Sequence, residues 1–224
     1  MKGENSMKIQ LALDRFTIEQ AIAITKRVYP YIDWIEVGTS LIKEFGMESV
    51  RALRKEFPGK TIVADIKTFD NAAYEFEMCY AAGADVATVM GASPVVTIET
   101  CMNVAVKHGK QVMIDLLNTS DDQLEKLTVY REAIFCAHVS KDQQEITGQK
   151  QGLAGIHLPG SRFRDTNRKV ALAGGINAES LPSLAKVQPS VVIIGSAITK
   201  AQDPVLAART IKALTTSAEG GTSV

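Results

Sequence analysis

The sequence predicts a single-domain (β/α)8 (TIM) barrel over residues 1–224, and three observations carry that prediction. Eight short apolar, β-branched runs recur along the chain, helix-start signals separate most of them, and the unusual polar residues gather at the ends of the runs. Runs that are apolar on both faces suit a parallel sheet covered on both sides. Alternating strands and helices imply right-handed βαβ units, and eight such units close into a compact barrel.

The expected strands cover residues 9–14, 34–39, 61–67, 85–91, 111–118, 134–140, 169–174 and 190–194. Between the first two, Thr17-Ile18-Glu19-Gln20 is a capping-box pattern. Val50, Leu53 and Phe57 share a helix face that stops at Pro58-Gly59. Ser93-Pro94 places an N-cap before a proline at the first helical position, and Val95, Ile98, Met102 and Ala105 continue that helix toward Gly109. Ser120-Asp121-Asp122-Gln123 is a second capping box, and Asp203-Pro204 opens the last helix. Residues 145–168 hold Gly148, Gly152, Gly155, Pro159 and Gly160, which predicts a loop with at most a short helix. The ordered barrel is expected over about 7–214, between a polar N-terminal extension and a Ser/Thr/Gly-rich end that frays from Thr215.

Composition narrows the function classes. The formal net charge is zero and no long basic stripe occurs, which argues against nucleic acid as a partner. No apolar run reaches the ~18 residues of a membrane span. Residues 1–6 lack the apolar core of a signal peptide. Cys79, Cys101 and Cys136 have neither zinc-ligand nor redox spacing, so they read as buried thiols in a reducing cytoplasm.

In barrels of this class the chemistry sits at the C-terminal ends of the strands. Asp14 ends the first run, and Glu36 and Thr39 come late in the second. Asp65 and Lys67 end the third, Asp115 and Asn118 come late in the fifth, and His138 comes late in the sixth. Two residues apart on a strand, Asp65 and Lys67 point to one face. Such a pair can bind a metal, hold a hydroxyl or move a proton, or it can be a structural ion pair. Glu36 with Asp65 makes a two-carboxylate oxygen site of the kind magnesium prefers; otherwise Glu36 bridges to Lys67. His138 is an acid/base candidate or a satisfied core histidine. His108 and His157 receive no role. The turns Ala173-Gly174-Gly175-Ile176-Asn177 and Ile194-Gly195-Ser196-Ala197 follow the seventh and eighth runs, where barrels build their phosphate sites.

These residues resemble the 3-hexulose-6-phosphate synthases of the orotidine-monophosphate-decarboxylase-like barrels, with 3-keto-L-gulonate-6-phosphate decarboxylase as close kin. The resemblance runs from Met7 to about Leu214. Its most specific piece is an Asp-x-Lys-x-x-Asp motif, present as Asp65, Lys67 and Asp70. Gln10-Leu11-Ala12-Leu13-Asp14, Ile35-Glu36-Val37-Gly38-Thr39, Thr88-Val89-Met90-Gly91 and Val192-Ile193-Ile194-Gly195-Ser196-Ala197-Ile198-Thr199 accompany it.

The resemblance implies an aldehyde-lyase acting in formaldehyde fixation through the ribulose monophosphate pathway. By the same resemblance it would add formaldehyde to D-ribulose 5-phosphate through an enediolate, with Mg2+ and as a homodimer. Glu36 and Asp65 would hold the metal. Asp65, Lys67, Asp70 and His138 would form the catalytic set, with Asp70 reaching the neighbouring subunit's site. Asp14 and Thr39 would bind substrate hydroxyls, and Gly174, Gly175, Gly195 and Ser196 would bind the phosphate. Three departures stand out. Asn71-Ala72 replaces the Ala-Gly or Gly-Gly that usually follows the motif. Lys141 stands where the decarboxylases carry arginine, keeping the charge but losing the planar fork. Residues 145–168 depart from both relatives. The decarboxylase activity, and a non-catalytic phosphosugar-binding barrel, are the alternatives.

Overall fold

The computed structural model describes residues 7–140, 142, 168–184 and 187–217. Its strands are β1 (Lys8–Leu13), β2 (Trp34–Val37), β3 (Thr61–Thr68), β4 (Val86–Met90), β5 (Gln111–Asp115), β6 (Ile134–His138), β7 (Lys169–Ala173) and β8 (Val191–Ile194). The helices are α1 (Ile18–Val28), α2 (Thr39–Phe45), α3 (Met47–Glu56), α4 (Ala72–Ala81), α5 (Val95–His108) and α6 (Asp121–Leu127), then α7 (Leu181–Leu184), α8 (Ser196–Thr199) and α9 (Pro204–Ser217). Each strand pairs in parallel with its sequence neighbours, and β1 pairs with β8, so the sheet closes into a barrel. All eight expected strands are present; most end one to three residues earlier than expected, and β3 runs on to Thr68.

Strand alternation divides the core into two layers. Leu11, Ile35, Ile62, Ile114, Phe135 and Leu172 face the helices in the outer layer. Val63, Val86, Met113, Ile134, Cys136 and Ala171 fill the barrel interior. Positions in step with the interior set therefore point inward, and toward the strand ends they are Gln10, Glu36, Asp65, Asp115 and His138. Simple alternation breaks at one place. Between the pairs Ala64–Ala87 and Thr68–Val89, three residues of β3 run against one of β4, and Lys67 takes φ 51°.

The helix starts follow the sequence in part. Thr17 and Gln20 form the complete capping box. Ser120 caps α6 by accepting from the Gln123 N–H, but the Gln123 side chain donates to the Ser93 carbonyl at 2.7 Å, so the box is half made. Asp203 caps α9 by accepting from the N–H groups of Val205 and Leu206. Ser93 is not the cap of α5. Pro94 holds that position, and the buried Ser93 hydroxyl donates to the Thr68 carbonyl where β3 leaves regular pairing. Fraying does not begin at Thr215 either. Thr215 is buried, α9 continues to Ser217, and Lys212 ties the helix to Asp33 at 3.0 Å. The expectations for residues 1–6, Lys141, residues 145–167 and His157 lie outside the described residues.

The N-terminal end of the barrel is locked by charge. Asp85 accepts from the Ile62 N–H, pairs with Lys110 at 2.8 Å and meets the Arg54 guanidinium, whose Nε donates to the Gly83 carbonyl. Burial alone would raise the Asp85 carboxyl, but these donors hold it below the usual carboxylate value. His108 lies outside on α5, against Tyr80 and Glu77. The three cysteines are buried thiols. No helix among the described residues is long and apolar enough to cross a membrane.

Candidate active site

A cavity of about 550 Å³ opens at the C-terminal end of the barrel. Asp14, Glu36, Thr39, Asp65, Lys67 and His138 line it, and so do both glycine turns, through Gly174, Gly175, Gly195 and Ser196. Asp70 is absent from this group. It lies two residues beyond β3, exposed beside Phe69, so a single chain does not bring it to the other motif residues.

The charged centre is a continuous chain of side chains. Lys67 Nζ donates to Asp65 Oδ1 at 3.1 Å and to Asp115 Oδ2 at 2.8 Å. Asp115 Oδ2 also lies 2.9 Å from His138 Nδ1, while its Oδ1 accepts from the Leu117 N–H. Thr39 and Thr88 hydroxyls donate to the two Asp65 oxygens at 2.7 and 2.9 Å. Burial alone would lower the Lys67 ammonium, but Asp65 and Asp115 carry it above the ordinary lysine range. Burial would likewise raise Asp115, yet the His138 hydrogen bond and the Lys67 charge pull it below the ordinary carboxylate range. An ionised Asp115 only accepts hydrogen bonds. His138 must then carry its proton on Nδ1, which leaves Nε2 as the ring nitrogen that can take up another.

Glu36 sits beside this chain with less compensation. Its carboxyl is pushed up to about 8, first by burial and next by the Asp65 charge, against the Gln10 hydrogen bond. Two crowded carboxylates form a hard, all-oxygen donor pair, and a cation between them would relieve that crowding. Among the described residues no group of three or more His, Cys, Asp or Glu side chains forms a metal cage. Magnesium tolerates this, because it takes one or two carboxylates and completes its shell with water and substrate oxygens. The residues therefore fit the expected ion.

Close backbone approach shapes the rim. A Cβ on Gly38 would lie 2.5 Å from both Asp14 Oδ1 and the Leu13 carbonyl, so only glycine lets β2 turn into α2 there. Ser40 in α2 then gives Asp14 two donors, its hydroxyl at 2.7 Å and its N–H at 3.2 Å. Across the mouth, Gly174 and Gly175 take φ 112° and 64°, in the left-handed half of φ space that glycine enters at little cost. Their turn and the Gly195–Ser196 turn both line the cavity, as an anion site at these two strands requires.

Sequence reasoning misses four contributors, Asp115, Gln10, Ser40 and the Thr88 that donates to Asp65. Asp115 is visible on the rim but has no role until the fold joins it to both Lys67 and His138. Gln10 is a polar residue in an apolar strand, which is a usable signal. Ser40 carries no signal beyond its place after Thr39.

Comparison with known proteins fits this geometry. The Orotidine 5'-phosphate decarboxylase / HUMPS family model matches residues 7–211. A 3-hexulose-6-phosphate synthase from Bacillus subtilis (strain 168) is 33% identical over 211 residues, covering 93% of this chain and 98% of the relative. The crystal structure of 3-hexulose-6-phosphate synthase from Salmonella typhimurium superposes with a TM-score of 0.84 at 32% identity, covering 95% of this chain and 100% of that one. The crystal structure of 3-keto-L-gulonate-6-phosphate decarboxylase from Vibrio cholerae gives a TM-score of 0.78 at 27% identity, over 95% of this chain and 98% of that one. The chain belongs to the orotidine 5'-phosphate decarboxylase / HUMPS family.

Proposed function

We propose that this protein is a 3-hexulose-6-phosphate synthase, an aldehyde-lyase that joins formaldehyde to D-ribulose 5-phosphate. The observation that carries this reading is the unbroken Asp65–Lys67–Asp115–His138 chain beside a cavity that also holds two glycine turns. That arrangement pairs a proton acceptor with a fixed cation and an anion site, which a passive binding barrel does not need.

In this mechanism the glycine turns bind the phosphate and orient the sugar, whose other end lies over the charged chain. Asp14, held by Ser40, accepts a hydrogen bond from a substrate hydroxyl. His138 Nε2 takes a proton from the sugar's C1, and Asp115 stabilises the imidazolium that forms. Lys67 donates to the oxygen on which negative charge develops. The C1 carbanion equivalent attacks the formaldehyde carbon, and His138 returns its proton to the new alkoxide. Glu36 and Asp65 would hold Mg2+, which when bound supplies positive charge beside the sugar oxygens and lowers the cost of removing the carbon-bound proton.

The same reading includes a homodimer. Phe69 and Tyr74 are 55% and 67% exposed on either side of Asp70 in the chain, an arrangement that suits cover by a second copy delivering Asp70 to its partner's cavity. Mixed dimers of Asp65→Ala and Asp70→Ala chains should then recover activity that neither variant has alone; verified heterodimers without recovery would remove this role.

The deciding assay mixes the protein with ribulose 5-phosphate, Mg2+ and formaldehyde and follows formaldehyde loss. No loss, together with CO2 release from 3-keto-L-gulonate 6-phosphate, would replace the synthase reading with the decarboxylase one. The structural similarity to the Vibrio cholerae decarboxylase makes that the rival to exclude.

A further inference from the structure

Gln10 stands out among the groups lining the cavity floor. It lies on β1 at an inward position, 1% exposed, and lines the cavity. Its Nε2 donates to Glu36 Oε2 at 2.5 Å. Its other polar atom, Oε1, is buried without a hydrogen-bond partner among the described residues. A buried amide oxygen left unpaired costs about 1–3 kcal/mol and calls for a reason. Among the described residues the Gln10 bond is the only one to Glu36, so Glu36 Oε1 accepts none from them.

We propose that Gln10 is a positioning residue for a divalent cation at Glu36. It holds Glu36 by Oε2 so that Oε1 faces the ion, and its own Oε1 accepts a hydrogen bond from a water held at the same place. This rests on the cation site proposed at Glu36 and Asp65. The amide is suited to the task because it donates and accepts at once, from a side chain fixed by the barrel wall. A leucine or methionine would fill the same space and do neither. Ligands held by such outer contacts lose metal affinity when the contact is removed, about 10–100-fold.

The test is a Mn2+ titration of the purified protein, read by the electron paramagnetic resonance of the free ion. Inorganic phosphate binding and thermal unfolding are measured alongside. Gln10→Met and Gln10→Leu should each weaken Mn2+ binding at least tenfold, with phosphate affinity unchanged and the melting temperature held or raised. Methionine keeps the length of the side chain, so it serves where leucine does not fold. Mn2+ affinity within twofold of wild type in a folded Gln10 variant, while Glu36→Gln loses binding, overturns the role of Gln10 and leaves the cation site standing. Equal losses of Mn2+ and phosphate affinity also overturn it, because they mark a packing defect. Wild-type Mn2+ binding by Glu36→Gln removes the cation site itself, and this proposal with it.

Discussion

Replacing Asp115 by asparagine probes the centre of the proposed mechanism. Asp115 Oδ2 takes both the Lys67 ammonium at 2.8 Å and His138 Nδ1 at 2.9 Å, and its side chain is 4% exposed. Asparagine keeps an oxygen for the Leu117 N–H but turns an amide NH2 toward two other donors. Breaking one side of a buried ion pair costs about 3–5 kcal/mol. Here Lys67 keeps Asp65 and is a quarter exposed, so a loss of about 2–3 kcal/mol is expected. For a domain of this size that is a fall of roughly 4–12 °C in melting temperature. The kinetic effect is larger. His138 loses the group that fixes its tautomer, and kcat should fall about 10²–10⁴-fold, while KM for the phosphosugar moves little. The pH dependence supplies a second readout. A carboxyl held below its ordinary value of 3.8 adds stability that is present above that value and lost as pH falls below it. The variant lacks this contribution, so its stability should fall less steeply than wild type in acid below pH ~4. Formaldehyde-consumption kinetics and urea unfolding at several pH values measure both. A folded variant with kcat within threefold of wild type would refute the reasoning.

Three further outcomes are expected. Thr39→Val removes the 2.7 Å donor to Asp65 and should lower stability by about 1–3 kcal/mol in urea unfolding; an unchanged midpoint would show that this bond contributes nothing net. Gly83→Ala places a Cβ 2.7 Å from Arg54 Cγ at a φ of 104°, so it should cost about 1–3 kcal/mol and leave kcat unchanged, because Arg54 lies at the opposite end of the barrel. Gly174→Ala at φ 112° should reshape the phosphate turn and raise KM at least fivefold with a smaller change in kcat. A kcat loss at constant KM would move the phosphate elsewhere.

Much of the fold is legible in the sequence because its determinants are local. Apolar runs of strand length, the Thr17 capping box and the Asp203-Pro204 start depend on a few neighbouring residues, and the structure keeps them. Alternation also places Asp65, Asp115 and His138 on one rim, since each follows an inward-facing apolar residue by two. What is not legible depends on the fold as a whole. Ser93 has the right chemistry for a cap, but a carbonyl on β3, 25 residues away, takes its hydroxyl instead. Lys67 and Asp115 are 48 residues apart on strands that do not pair with each other. Only the curvature of the closed barrel brings them together, and no spacing along the chain encodes it.

The turn at Lys67 is less regular than the spacing of the motif implies. Alternation along an ideal strand is enough to put Asp65 and Lys67 on one face. The strand is in fact irregular there, and a lysine at φ 51° costs about 1–2 kcal/mol. The cost is offset nearby. Thr88 accepts from the Lys67 N–H at 2.9 Å and donates its own hydroxyl proton to Asp65 Oδ1, so one side chain ties the strained backbone to the carboxylate. The Lys67 ammonium then gains two carboxylate partners. The two extra residues of β3 keep the parity of the strand on either side of the irregularity, so Ala64 and Thr68 face the same way, and within it the Lys67 ammonium still reaches Asp65 Oδ1 at 3.1 Å. Beyond the end of β3, Phe69 and Asp70 are exposed. The three polar residues of the motif therefore part company: Asp65 and Lys67 belong to this chain's cavity, and Asp70, in the proposed dimer, serves another.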